Sequence, residues 1–337
     1  SRSFDIWIVG ESLCNNQLLV MLKRKFFVVN HLSFFWRILK LLSKYTDIFS
    51  QHIIISENDL DTKNLLDKYP AHLKLTKEEI IKGESIFNQF KIPKKAKIVC
   101  LTIRDNSYLR VNNSSKNFSY HNYRDSDARN YISVIKYLIK RDYFVVRMGK
   151  TVSKKINIKS KKFIDYPFHP IKSDFMDFFF AHKCHFWIGT NAGLDQLADV
   201  FRKPMLVINM APFGRLKMTR KKKILVSKTH INSKGKKLSI NEIFKAGAAN
   251  LDKSTDFRRK NIKLLEAKPN EIKEYVFEII QLIGNLWIQK KSDFNLQNKF
   301  RKLYTQNIKK NNFSFLHGKL LSFYSASFLK KNKWFLK

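Results

Sequence analysis

From residue 98 onward the chain alternates short, wholly apolar runs with segments of helical spacing, and this alternation narrows the possible folds more than any other feature. Ile98-Val99-Cys100-Leu101 and Met205-Leu206-Val207-Ile208 contain no polar position, so strands built from them have to be buried on both faces. Strand-like runs at 98–102, 143–148, 163–166, 185–188 and 205–209 are interleaved with helical patterns at 127–140, 174–183 and 194–202. Strands alternating with helices imply a parallel sheet with right-handed crossovers. The reading is α/β, with a doubly wound parallel sheet in this part of the chain.

Ahead of it, apolar runs at 6–9, 26–29 and 53–55 are also separated by helical spacing, which suggests a further α/β unit. The chain opens Ser1-Arg2-Ser3 without Met and enters its first strand almost at once, so a preceding strand of that unit is expected to be missing. Lys91-Ile92-Pro93-Lys94-Lys95 is the candidate linker, because its proline fits neither a helix interior nor a central strand. The organisation read from the chain is 1–93 as an N-terminal α/β domain, 94–287 as a Rossmann-like domain and 288–337 as a helical, basic and aromatic C-terminal tail. Asn270 is expected to cap the helix that closes the second domain. The tail's aromatics are read as packing on the body, with a membrane-surface patch as the alternative.

Lys and Arg number 65 against 27 Asp and Glu, a net charge of +38 that favours anionic partners. The basic residues are dispersed, and the tightest run, Arg220-Lys221-Lys222-Lys223, is short for a nucleic-acid tail, so nucleic acid is not the expected partner. Three cysteines without Cys-x-x-Cys spacing or clustered histidines point to a reducing, cytoplasmic setting and to no zinc site. No run of 18 apolar residues is present.

The segment Ile188-Gly189-Thr190-Asn191-Ala192-Gly193-Leu194-Asp195 places small residues between a buried strand and a helix. Free amides at such a helix start, at the carboxyl end of a parallel sheet, form a phosphate site in which the small residues allow close approach. A tight structural turn would use the same glycines. The stretch resembles the donor-binding half of GT-B glycosyltransferases. With Tyr123-Arg124-Asp125, Val146-Arg147-Met148-Gly149, Ser173-Asp174-Phe175-Met176-Asp177 and Ser327-Phe328-Leu329, it resembles a family of bacterial glycosyltransferases linked to surface polysaccharide synthesis. That resemblance covers 98–212 most strongly. It implies two Rossmann-like domains facing across a cleft, a nucleotide-sugar donor on the second, and a glycan or lipid-linked acceptor on the first. It further implies no bound metal or other cofactor, and work at the cytoplasmic face of a membrane with peripheral contact to anionic lipid. A nucleotide-sugar hydrolase or epimerase on the same scaffold and a polyanion-binding protein are the alternatives.

Within that reading the diphosphate falls to Arg104, Arg124, Arg147, Gly149, Gly189, Thr190, Asn191, Ala192, Gly193 and Asp195. Arg104, Arg124 and Arg147 each stand next to the carboxyl end of a strand or the start of a helix, where a guanidinium fork matches phosphate oxygens. A salt bridge from Arg104 to Asp105 or Asp127 is the structural alternative. The Gly-rich, His-bearing loop that such enzymes carry in the first domain is not found in these 337 residues, so His121 and Asp125 are the candidates for catalytic duty. Tyr166 and His169 lie where the fold often reads the nucleobase. Asp59-Leu60-Asp61 has the spacing of a metal-binding Asp-x-Asp, yet acidic residues before Thr62-Lys63-Asn64 are also ordinary helix-start residues.

Overall fold

The computed structural model describes residues 6–9, 13–30, 33–43, 45, 60–112, 117–287, 290–313 and 317–337. Strands Ile6–Val9 (β1) and Phe27–Asn30 (β2) pair in parallel, with the helix Asn16–Lys23 between them. The expected third strand of this unit, 53–55, lies outside the described residues, as does Asp59.

The main sheet is built from Lys97–Thr102 (β3), Tyr143–Met148 (β4), Phe163–Asp165 (β5), Phe186–Gly189 (β6), Met205–Met210 (β7) and Lys223–Ser227 (β8). Thr229–Ile231 (β9) and Lys263–Leu265 (β10) form a separate antiparallel pair, and Phe323–Tyr324 (β11) returns to the main sheet. The main sheet has seven strands in the order β11-β8-β7-β6-β3-β4-β5, all parallel. Every residue of β4 and β7, and all of β3 after Lys97, is buried, which requires cover on both faces. Helices supply it. Ile132–Lys140 and Pro269–Ile283 pack together over β4 and β7, whereas Asp174–Lys183 packs on β3 with Asn16–Lys23 and Lys77–Asn88 stacked on it.

The chain runs from β3 to β4 and β5 on one side, then crosses back to lay β6, β7 and β8 on the other. This is the strand order of a Rossmann-like sheet, with its change of direction between β3 and β6.

The segment before the expected linker belongs to the same core. Lys77–Asn88 opens with a reciprocal cap, Thr76 Oγ1 accepting from the Glu79 amide at 3.2 Å and Glu79 Oε2 accepting from the Thr76 amide at 2.9 Å. Gly83 lets this helix sit directly against Phe179, since a Cβ there would fall 2.1 Å from the ring. Phe87, Phe90 and Ile92 are buried with the sheet's residues in one apolar cluster.

Several boundaries shift from the sequence reading. The helix at 127–140 is a 3₁₀ turn, Ala128–Tyr131, followed by an α-helix, and the closing helix begins at Pro269 with Lys268 as its cap, so Asn270 sits inside the first turn. Asp61 Oδ1 and Oδ2 accept from the Leu65 and Leu66 amides at 2.6 and 3.2 Å, so this half of the Asp-x-Asp triplet starts a helix. Arg220 and Lys223 are buried and converge on Asp199, with Arg220 Nε and Lys223 Nζ each 3.0 Å from its carboxylate, so only Lys221 and Lys222 of the basic run stay exposed. None of the described helices is long and apolar enough to cross a membrane.

The segment read as a C-terminal tail is part of the sheet and its core. β11 extends the sheet beyond β8, and Phe300, Tyr304, Tyr324, Phe328 and Phe335 are buried, so these rings are not offered to a membrane. The return is anchored by Glu278, whose carboxylate accepts from Ser325 Oγ, the Ala326 amide and the Ser327 amide at 2.8, 2.9 and 2.7 Å. Replacing Glu278 with Ala leaves buried donors unpaired, and we expect a loss of about 3 kcal/mol. A urea titration followed by far-UV circular dichroism measures it; an unchanged midpoint would show that the segment is held by its aromatic packing alone.

Candidate functional site

Where β3 and β6 part, a cavity of about 470 Å³ opens at the carboxyl ends of the strands. Thr102, Ile103 and Arg104 leave β3 along one wall, and Met148, Gly149 and Lys150 leave β4 along the next. The turn after β6 supplies Ala192, Gly193 and Leu194, and the helix Asp174–Lys183 supplies Asp177 and Phe178. Cys14, Asn15 and Leu18 from the N-terminal unit, with Tyr108, Leu109 and Phe118, close the remaining side. Most of this wall is apolar, with a few polar groups that include Arg104, His121, Arg124, Lys150 and Asp177.

The turn after β6 is shaped by one buried carboxylate. Asp195 accepts from Trp187 Nε1 at 3.0 Å and from the Ala192 amide at 2.8 Å. Burial pushes its carboxyl up to about 6, opposed by those hydrogen bonds. Asp195 therefore holds the loop and does not face a ligand, contrary to its expected place in a diphosphate site. Gly189 lies beneath it, where a Cβ would come within 2.4 Å of Asp195 Oδ2, so this glycine is required by the loop's own packing. Thr190 is buried, accepting from the Arg104 amide at 2.7 Å and donating to the Thr102 carbonyl at 3.3 Å, which ties the β6 turn to the β3 turn. Asn191 takes a left-handed φ of 62° and donates from Nδ2 to the Ala211 carbonyl at 2.8 Å. Of the expected loop residues, Ala192 and Gly193 line the cavity. The expected helix at 194–202 is a 3₁₀ turn, Gly193–Asp195, that runs into a short α-helix, Gln196–Val200.

Arg104 is ion-paired with Asp125, and its guanidinium also donates to the His121 carbonyl at 3.3 Å. The partner is thus neither Asp105 nor Asp127; Asp127 caps the following 3₁₀ turn by accepting from the Arg129 amide at 2.9 Å. Asp125, pushed up to about 6 chiefly by burial, is not on the cavity wall, and it acts by orienting Arg104. Arg124 donates to the Asn191 carbonyl, while its Nε is buried without a partner. His121 also faces the cavity; burial, and then the nearby Arg124 and Arg104, lower its pKa and favour the neutral ring, and its Nδ1 has no hydrogen-bond partner.

Arg147, Tyr166 and His169 are not brought to this cavity. Arg147 stands in register with Asp165 of β5, buried, with Nη1 3.3 Å from Asp165 Oδ1 and 2.7 Å from the Lys154 carbonyl. Side chains alternate along a strand, so Met148 reaches the cavity and its neighbour points away. Tyr166 is fully buried and its hydroxyl bonds the Ser173 carbonyl at 2.9 Å, and His169 lies on Phe90 with ring centroids 4.4 Å apart. Neither offers a platform for a base. Sequence reasoning passed over Lys150, whose Nζ donates to the Cys14 carbonyl at 2.8 Å and lies 3.2 Å from Asp174 Oδ1, and it assigned no role to Asp177. Among the described residues no group of three or more His, Cys, Asp or Glu is placed to hold a metal ion.

Arg147→Leu would strand the buried Asp165 carboxylate without its cation, and we expect a destabilisation of about 3–5 kcal/mol by chemical denaturation. Ligand affinity of the fraction that remains folded should be unchanged; a native-like midpoint with lost affinity would return Arg147 to the binding site. Comparison of the chain with protein-family models, with curated proteins and with solved structures finds no match.

Proposed function

We propose that this cavity holds a nucleotide-activated sugar and that the protein is a glycosyltransferase, passing the sugar to a hydroxyl of a glycan or lipid-linked acceptor. The observation that carries the reading is the position of the cavity at the change of strand direction between β3 and β6, the place where open parallel sheets bind nucleotides. Its volume of about 470 Å³ suits a ligand of this size. Arg124 and Arg104 bring positive charge to one part of the wall, and the amides at Gly193 and Leu194 open the turn beside them. In a transfer reaction these groups would offset the charge that grows on the departing diphosphate as the anomeric bond breaks. His121, neutral and with a free ring nitrogen, is suited to accept or relay a proton. In the corresponding GT-B arrangement, the β1–β2 unit would be the acceptor-side domain, with Cys14, Asn15 and Leu18 forming its side of the cleft.

Nucleoside diphosphates should stabilise the fold, by about 2.7 kcal/mol at roughly 100 times the dissociation constant. Thermal unfolding with UDP, GDP, ADP and CMP compounds reads the effect. Gly193→Val should fold normally, because a Cβ at this position meets nothing within 4 Å, and it should lose nucleotide affinity because its methyl groups enter the cavity. Arg124→Ala should weaken binding by about 10- to 100-fold if the guanidinium makes a charge-assisted bond to phosphate. A folded Gly193→Val protein that binds nucleotides as the parent does would sink this reading.

A further inference from the structure

Asp177 is a polar group of the cavity that the transfer reading does not use. It is 4% exposed, yet it lines the cavity from the first turn of Asp174–Lys183. Its Oδ2 accepts from Asn15 Nδ2 at 3.3 Å, and its Oδ1 is buried without a well-formed hydrogen bond, the neighbouring Tyr166 hydroxyl being committed to the Ser173 carbonyl. A buried carboxylate oxygen with nothing to accept from is unfavourable, so a site that keeps one is built for a donor that arrives with the ligand. The nearby cation is already occupied: Lys150 Nζ lies against Asp174 and the Cys14 carbonyl.

The charges around the cavity fall into two groups. Arg104 faces Asp125, Asp105 and Arg124, whereas Asp177 faces Asp174, Lys150 and Lys172. One part of the wall therefore suits an anion, and another presents an acceptor. With Arg104, Arg124 and Lys150 all lining the cavity, a cationic donor would be repelled, which leaves a neutral hydroxyl as the matching group.

We infer that Asp177 reads the sugar of the bound nucleotide sugar, its carboxylate accepting a hydrogen bond from a sugar hydroxyl while the arginine end holds the phosphates. This rests on the nucleotide-sugar reading of the cavity and adds to it a specificity-determining residue. The titration of Asp177 gives it a signature. Burial, with Asp174 adding to it, pushes this carboxyl up to about 7 against the pull of Lys150, Tyr166 and Lys172. Cys100 also lies within reach of its charge, and Asn15 is its neutral partner. As pH falls through 7 the carboxylate takes up a proton and becomes a weaker acceptor, whereas the arginines do not titrate and His121 is shifted below its ordinary value.

Calorimetric titration of the parent, Asp177→Asn and Asp177→Ala proteins with UDP-glucose, GDP-mannose and ADP-glucose, and with UDP, GDP and ADP, tests the inference. The variants should bind the nucleotide sugar about tenfold or more weakly and the matching nucleoside diphosphate within about twofold of the parent. Between pH 8 and pH 6 the parent's affinity for the nucleotide sugar should fall, and that of Asp177→Asn, which preserves shape and folding, should stay level. Variants that bind the nucleotide sugar as tightly as the parent overturn the role of Asp177 and leave the cavity reading standing. Equal loss of both ligands with a lowered unfolding temperature also overturns it, by making the residue structural. A parent protein that binds none of the six compounds overturns the cavity reading and this inference with it.

Discussion

β3 is hydrogen-bonded along both edges, to β4 on one side and β6 on the other, and the architecture around the cavity follows from that double pairing. Its backbone groups lie in a dry interior where an unmet N–H or C=O is costly, so both neighbours have to be present. The chain can supply them only by building outward to β5 and then crossing back to β6. At that crossing the loop after β3 and the turn after β6 diverge, and the space they leave is the cavity. Thr190 limits the divergence from below by bonding both the Arg104 amide and the Thr102 carbonyl.

In a chain with 65 basic and only 27 acidic residues, the buried carboxylates serve as anchors. Asp195 holds the β6 turn, Asp165 accepts from the Ile156 amide at 2.7 Å and so fixes the loop after β4, Asp199 gathers Arg220 and Lys223, and Glu278 holds the return to β11. Each has its oxygens met by amides, an indole N–H, hydroxyls or cations, which offsets the cost of removing a carboxylate from water. Asp177 is buried to a similar degree and leaves one oxygen unmet. That unmet oxygen, on a residue that also lines the cavity, is the feature on which the proposed sugar contact rests.

The buried strands were legible because apolar runs such as 98–102 and 205–209 admit only a two-sided interior. β8 and β11 were not, since β8 begins at a lysine that closes a basic run and β11 is two residues long. The basic run was read only as too short for a nucleic-acid tail, because a sequence does not show that Asp199 will meet Arg220 and Lys223. Arg147 was misplaced for a related reason: its position beside a strand's carboxyl end was right, but the side it points to is set by its register with Asp165 on a neighbouring strand. Asp177 was quoted within a motif and given no task, because a carboxylate in the first turn of a helix reads as an ordinary helix-start residue. Its burial with a single donor comes only once Asn15, more than 150 residues earlier, is folded against its other oxygen.

The two glycines of the turn after β6 show how far the protein's own packing accounts for its loop. At Gly189 a side chain would collide with the Asp195 carboxylate, so the fold alone requires glycine. At Gly193 an added Cβ meets nothing within 4 Å, and the backbone is not among the positive-φ positions. Glycine loses more conformational freedom on folding than any other residue, and no internal contact here offsets that cost. Gly193 lines the cavity together with Ala192, Leu194 and Arg124, so space is open beside it. A diphosphate approaching the backbone amides would use that space, so the glycine that the protein does not need for itself is the one that the proposed ligand does.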